Sequence, residues 1–569
     1  MSGAQAHVLV NADVRTLNDR GDRAEAIAWK NGRIVAVGTR AEVELAAGPE
    51  AEHVDLGGAT VLPGFIDAHH HPGIVALYGG VVRLVPPLVS DIRSLQEALA
   101  ARAAVTEPGA WVVATNWDEH LLAEGRAPTR AELDDAVPDH PLFAMHYTCH
   151  RAATNSRGLE LAGIGKDTPE PAGGAILRGK GGLPTGVLVE RALCGVETLA
   201  RRSLIARDPE GFLQRLAAHY RTMAVAGITR VVDATVPPDV MTLYRESARR
   251  GDILVPTMML PVSDASYLQE PWDVIGGPLP QDGDGEDELL TTGPIKLVFD
   301  GVPGCAMCLS WWQAFGATLR SFGLAASRGT FEPLRTALSL GPQLGSDLKL
   351  RTGIRMYHTE EATRIVRAAS DRGFAVATHA IGNEAVEIAV AAYAEVPVPA
   401  QVQGIRRLEH ASFLDLALIR RIADVGAAVV SQPELVRLPT LAHAASIPGL
   451  RYMPHRWLLD AKVKLVGSSD HPVAGLDPLE GVRAAVDRRT MRGHAHEPDQ
   501  AIDLDEALLM YTRTAAEVCG VLDRCGTLET GKRADLVVLD VPLDGQTLAS
   551  AKVASTIIGG AWIAPTTEA

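Results

Sequence analysis

Near both ends of the chain, apolar and polar residues alternate over short distances. "HVLVNADVRTL", "EAIAWKNGRIVAVG" and "AEHVDLGGATVL" lie at the N-terminal end, "GTLETGKRADLVVLDVPL" and "KVASTIIGGAWI" at the C-terminal end. A period of two over runs this short predicts half-buried strands, and "KNGR" between two apolar runs predicts a hairpin turn. Two strand-rich ends predict one small β-sandwich built from both termini, residues 1–60 and 520–569.

Between them the pattern changes. Eight compact apolar runs, "TVLPGFIDAH", "GITRVVDAT", "ILVPTMML", "GPIKLVFDG", "FAVATHA", "RRLEHA", "GAAVVSQ" and "AKVKLVGSSD", are separated by longer stretches. Some of these stretches carry helical spacing, such as "HTEEATRIVRAASDRG" and "NEAVEIAVAAYAEV". Buried strands joined by helices predict an α/β fold, a (β/α)8 TIM-type barrel over residues 61–519. The first and second runs are separated by far more chain than a βα loop needs. An inserted α/β subdomain is therefore expected at about 75–220, with strands at "WVVATN" and "PLFAMH". A second long stretch, 301–350, contains "SWWQAF" and is expected to cover the barrel mouth. "PQDGDGEDE" at 280–288 reads as a solvated loop, too irregular for a calcium loop.

At 569 residues the chain exceeds one ordinary core. Its 47% hydrophobic and 22% charged residues are those of a folded globular protein. A net charge of −15 argues against nucleic acid or an anionic membrane as the main partner. No apolar run is long enough to span a bilayer, and the N-terminus lacks the pattern of a signal peptide. Six cysteines in so long a chain fit reduced thiols in a cytoplasm, and "CAMC" at 305–308 lacks a partner pair. The expected partner is a small-molecule substrate. Association into a homo-oligomer stays open.

The chemistry sits at the ends of the predicted strands. "DAHHHPG" places His69, His70 and His71 at the end of the first run. Alternation points His69 and His71 one way and His70 the other, so HxH forms a two-ligand clamp. Lys296 lies in the fourth run, His379 ends the fifth, His410 the sixth and Asp470 the eighth. In a barrel these strand ends share one face. Each residue alone has a plainer reading: a chance HxH, a capping Asp470, a Lys296 paired with Asp300. Their coincidence on five strands predicts a metal site. Imidazoles and a carboxylate suit zinc, or manganese, iron or nickel. A buried lysine beside cations favours its neutral form, which can add carbon dioxide, and the resulting carbamate can bridge two metals. Trp311 and Trp312 are candidates to line an apolar substrate pocket, or to pack the loop down.

The chain resembles the amidohydrolase superfamily, within it the YtcJ-like branch that includes N-substituted formamide deformylases. The similarity runs from "VLPGFIDAHHH" through "NSRGLELAGI", "GGLPTGVLVERA", "IKLVFDG", "ATHAIGNEAV", "RRLEHASF", "SQP" and "VGSSDHPV" to "GTLETGKRADLVVLD". It implies one or two divalent ions per chain, zinc first. His69, His71 and Asp470 would bind the more buried ion, His379 and His410 the second, with carbamylated Lys296 bridging. By the same resemblance, "HYTCHRAATNS" offers His150 and Asn155 as substrate-binding residues. The glycines and serines usual after "DG" are replaced here by "DGVPGCAMCLSWW", a different pocket wall. The implied reaction is hydrolysis of a C–N bond in a small, partly apolar amide or formamide. A metal-activated hydroxide would attack, and Asp470 would shuttle the proton. Ester, lactone or carbamate hydrolysis on the same site remains open, as does a non-catalytic protein retaining the fold.

Overall fold

A computed structural model describes residues 5–262, 288–301, 305–328, 343–345, 347–398, 405–438 and 447–563. Each of the eight internal runs holds a strand: β1 (Phe65–His70), β2 (Ile228–Val236), β3 (Thr257–Pro261), β4 (Ile295–Val298), β5 (Val376–Ala380), β6 (Arg407–His410), β7 (Ala428–Ser431) and β8 (Leu465–Gly467). All pair in parallel, in two arcs. β1, β2, β3 and a short strand at Leu290–Thr292 form one, and β4 to β8 in sequence order form the other. β3 lies against β4, and β8 against β1.

The space between the arcs is filled from the strands themselves. Ile66 and Ala68 of β1 pack with Val232 and Ala234 of β2, Leu260 of β3 and Val430 of β7. Small side chains at Ala68, Ala234, Ala377 and Ala428 let the strands converge without voids. Near the start of β1, Ile66 donates its N–H to Tyr511 (2.7 Å), and Ala515 and Ala516 seal the same cluster. Outside, helix Thr359–Asp371 buries Ala362, Ile365, Val366 and Ala369, the i, i+3, i+4, i+7 stripe of an amphipathic helix.

Between β1 and β2 lies a separate six-stranded sheet, ordered Gly174–Arg178, Pro184–Glu190, Arg151–Ala153, Leu142–His146, Val112–Trp117, Val82–Arg83. The turn from Leu142–His146 to Arg151–Ala153 carries Cys149 and His150.

The terminal strands form two sheets. In one, Thr60–Pro63 pairs with Asp13–Arg15 on one side and with Leu536–Leu539 on the other, so both chain ends share a ladder. The other comprises Arg33–Gly38, Ala26–Lys30, His7–Val10 and Glu52–Asp55. Leu9, Ile27 and Trp29 of the latter pack with Val61, Leu536 and Ile557 of the former.

The run "TVLPGFIDAH" is thus two strands in two sheets. The break falls at Gly64, where a Cβ would lie 2.1 Å from Thr229 Oγ1. Of the loop at 280–288, all but Glu288 lies outside the described residues. Among the described residues, no helix is long and apolar enough to cross a membrane.

The "KNGR" turn is a two-residue hairpin with Asn31 at φ 52° and Gly32 at φ 74°, which matches the twist of its strands. A Cβ on Gly32 would also lie 2.8 Å from the Gly559 carbonyl oxygen. Gly32→Ala is therefore expected to cost about 2 kcal/mol in denaturant unfolding. Gly57→Ala, at φ 59° with open space around it, is expected to cost about half as much. Equal losses would contradict the close approach.

Candidate metal centre

The six chemically distinctive residues come from five strands, five of them at or just past a strand end and Lys296 within β4. His69 and His71 leave the end of β1, where pairing to β2 shifts register between Asp67 and His70. His71 Nε2 lies 3.1 Å from Asp470 Oδ1, and His69 Nε2 lies 3.5 Å from the same oxygen. His70 faces elsewhere. Its Nδ1 lies 3.0 Å from Ser469 Oγ and its Nε2 2.7 Å from His219 Nε2. His410 stands with its ring 5.0 Å from that of His69 and 4.5 Å from that of His379.

Second partners fix the rings. His69 Nδ1 contacts Glu409 Oε2, His71 Nδ1 lies 2.7 Å from Thr235 Oγ1, and His410 Nδ1 lies 2.7 Å from Gln432 Oε1. With each Nδ1 engaged, Nε2 is the nitrogen left to coordinate, the orientation that outer partners impose on metal-ligating histidines. Ligand atoms of His69, His410 and Asp470 all lie within 4.8 Å of one another. Among the described residues His379 Nε2 is buried without a hydrogen-bond partner, 3.6 Å from Asp300 Oδ1. Converging imidazole nitrogens and a carboxylate fit a divalent cation.

The backbone is strained to achieve this. His410 (φ 74°), Ala411 (φ 41°) and Asp470 (φ 56°) occupy the left-handed region, which costs a non-glycine residue about 1 kcal/mol or more. At β6 this breaks strand alternation, so neighbours Glu409 and His410 both reach the centre. Asp470 is held in place by donating its N–H to the His69 carbonyl (2.7 Å). It caps no helix, because the next one, Pro478–Asp487, is capped by Asp477.

Burial sets the protonation states. It lowers His69 to about 3 and His379 well below the ordinary imidazole value, so both are neutral, ligand-ready bases at neutral pH. Burial alone would raise the Asp470 carboxyl, but the hydrogen bond from His71 and the imidazoles of His69 and His410 beside it hold it well below the usual range. Glu409 is likewise buried, yet Arg407 and His69 keep it ionised. Lys296 is buried and pushed down to about 8, with Glu409 and Asp470 opposing the shift. The alternative pairing of Lys296 with Asp300 does not occur. The Asp300 carboxylate accepts from the backbone N–H groups of Ile381, Gly382 and Ala306 at 2.8 to 3.0 Å.

Of the four residues expected to meet substrate, one lies near the centre. His150 sits with its ring 5.6 Å from that of His379, and its Nδ1 lies 2.8 Å from Glu190 Oε2. Burial would lower its pKa, but Glu190 outweighs burial and raises it. Asn155 is corrected to a structural role. It caps helix Ser156–Leu161 by accepting from Gly158, also accepts from Leu142, and donates to the Val137 and His140 carbonyls. No polar atom remains for substrate. Trp311 and Trp312 are 58% and 73% exposed on helix Trp311–Arg328. Ala314 and Ala317 take the inward face, so helical periodicity turns both indoles outward.

A second group, Asp118, Glu119 and His146, also has converging ligand atoms. Glu119 is already bound to His146 (3.1 Å) and Arg151, a closed ion cluster.

Residues 52–564 match the amidohydrolase family, and the chain belongs to it. It is a metal-binding hydrolase of that family. It is 32% identical over 540 residues to the N-substituted formamide deformylase of Arthrobacter pascens, spanning 94% of this chain and 93% of that one. YtcJ of Bacillus subtilis (strain 168) is 25% identical over 565 residues, 96% of this chain and 97% of its own. In fold, the chain is similar to an uncharacterized metal-dependent hydrolase from Pyrococcus horikoshii OT3, with a TM-score of 0.64 at 22% identity, covering 94% and 97%.

Two outcomes follow from these contacts. Glu409→Gln removes the charge that orients His69 and is expected to weaken metal affinity about 10- to 100-fold, read by competition with a chromogenic chelator. An unchanged affinity would contradict that role. Lys296 has a folded value near 8 against an ordinary 10.5, so the folded state holds fewer protons in between. Metal-free protein should therefore gain stability as pH rises from about 8 to 10.5 and lose that increment as pH falls through 8. Lys296→Met should flatten the rise in a denaturant series.

Proposed function

We propose that the chain hydrolyses the C–N bond of an N-substituted formamide or a similar small, partly apolar amide. The observation that carries this is the set of three imidazoles whose Nδ1 atoms are tied to Glu409, Thr235 and Gln432, leaving Nε2 to coordinate around Asp470. The similarity to a formamide deformylase over 94% of the chain supports the bond type. The parallel strands are read as a closed (β/α)8 barrel over 61–519, with an α/β insertion at about 75–220 and a β-sandwich from both ends. A cytoplasmic setting fits the six cysteines, all free.

His69, His71 and Asp470 would hold one ion, and His379 and His410 a second. The donor set favours zinc. Lys296 would bridge as a carbamate: its neutral amine bonds to the carbon of carbon dioxide and loses a proton. A bound divalent cation supplies Lewis acidity toward the carbonyl oxygen and acidifies water. The residues of the chain do the rest. Asp470, ionised at neutral pH, accepts the proton of the attacking water and returns it to the leaving nitrogen. That return matters because an amide nitrogen leaves poorly until protonated. His150, braced by Glu190, would hold the substrate oxygen.

Asp470→Asn is expected to lower kcat/KM on N-alkyl formamides by at least about 1,000-fold, while part of the metal remains bound. Formate release is the assay. Wild-type enzyme that releases no formate from any of the panel, yet cleaves nitrophenyl esters, would replace the amide reading with an ester one.

A further inference from the structure

A cavity of about 360 Å3 opens between helix Pro72–Tyr78, the ends of helices Ile92–Ala103 and Cys194–Arg207, and the start of helix Pro209–Val225. Its volume falls within the range of small-molecule sites. Leu77, Leu204 and Phe212 give it an apolar floor. Its charged lining is Arg102, Arg207 and Arg215 against Glu107 and Asp208, three cations to two anions in a chain whose net charge is −15.

The pairing inside the cavity is uneven. Arg215 is paired, donating to the Ala76 carbonyl (2.7 Å) and to Asp208 Oδ2 (3.1 Å), while Asp208 also accepts from Gly211 at the helix start. Arg102 and Arg207 have no side-chain hydrogen bond or ion pair among the described residues, although both line the cavity. Burial and the neighbouring Arg207 charge both push the Arg102 pKa down, so the two guanidinium groups repel across the opening. Glu107, at the rim, is exposed and makes no ion pair with either. Each arginine ends a helix, where a cation is favoured by the dipole. That accounts for each position singly. It does not account for two guanidinium groups lining one apolar-floored cavity with neither hydrogen-bonded to a carboxylate among the described residues.

We propose that this cavity binds an amphipathic organic anion, an oxyanion head between Arg102 and Arg207 with its apolar body on Leu77, Leu204 and Phe212. Guanidinium forks match carboxylate and phosphate oxygens alike. The site stands independently of what the metal centre hydrolyses. Its floor residue Leu77 lies on the helix that begins directly after His71, so an occupant would press on an element leading from the metal centre.

The test is calorimetric titration of the purified holoenzyme at low salt with hexanoate, hexyl phosphate and hexan-1-ol, repeated on the Arg102→Ala/Arg207→Ala double variant. A saturable site for hexanoate or hexyl phosphate is expected, the tighter of the two naming the head group. Affinity should fall at least about 10-fold for hexan-1-ol and for the double variant, with formamide hydrolysis unchanged. Any carboxylate bound at the metal centre would persist in the double variant and so be separated. If that variant melts lower than wild type, Arg102→Gln/Arg207→Gln replaces it. Superimposable isotherms for wild type and variant, equal binding of hexan-1-ol, or no saturable binding would overturn the proposal.

Discussion

The centre depends on one buried carboxylate. Glu409 accepts from Arg407 Nη2 at 2.9 Å and contacts His69 Nδ1, while Arg407 also donates to the Ala68 carbonyl at the end of β1. Taking these charges out of water costs several kcal/mol per ion, offset only by close pairing and satisfied hydrogen bonds. The arrangement meets both conditions and in return orients the first histidine. Thr235 and Gln432 repeat the device with neutral partners for His71 and His410. The alanines that let the strands converge, with Ala515 and Ala516, pack in one cluster with Ile66 and Ala68 of β1.

Much of the centre was legible because its residues are chemically conspicuous and sit at the ends of apolar runs. "DAHHHPG", "THA", "LEHA" and "SSDHP" each announce a polar group where a buried strand stops. Alternation also separated His70 from its neighbours. Glu409 was not legible for the same reason: next to His410 on a strand, it should point away. Only the left-handed backbone at His410 puts both residues on one side, and nothing in "LEHA" marks that conformation. Gln432 and Glu190 were invisible because their roles exist only once distant strands meet.

The corrected residues show where pattern reading misleads. Asn155 sits beside an apparent pocket segment, yet every polar atom it has is spent on backbone groups. The paired tryptophans suggested an apolar pocket, but the helix they begin puts alanines inward and indoles outward. The run through Gly64 looked like one strand because hydrophobicity does not record a change of sheet. The fold class itself was legible from period and spacing alone, since parallel strands with helical crossovers leave a coarse signature that survives such local errors.

The insertion also changes how the site is understood. Its turn between Leu142–His146 and Arg151–Ala153 brings His150 beside His379. A separate sheet, rather than a strand of the main arcs, therefore completes the wall nearest the second pair of imidazoles. The most direct measurement is the metal content of protein purified without chelator, by plasma mass spectrometry, on wild type and Lys296→Met. The bridged centre predicts about two equivalents per chain in wild type and no more than about one in the variant. An absence of bound metal after reconstitution with zinc or manganese would contradict the account.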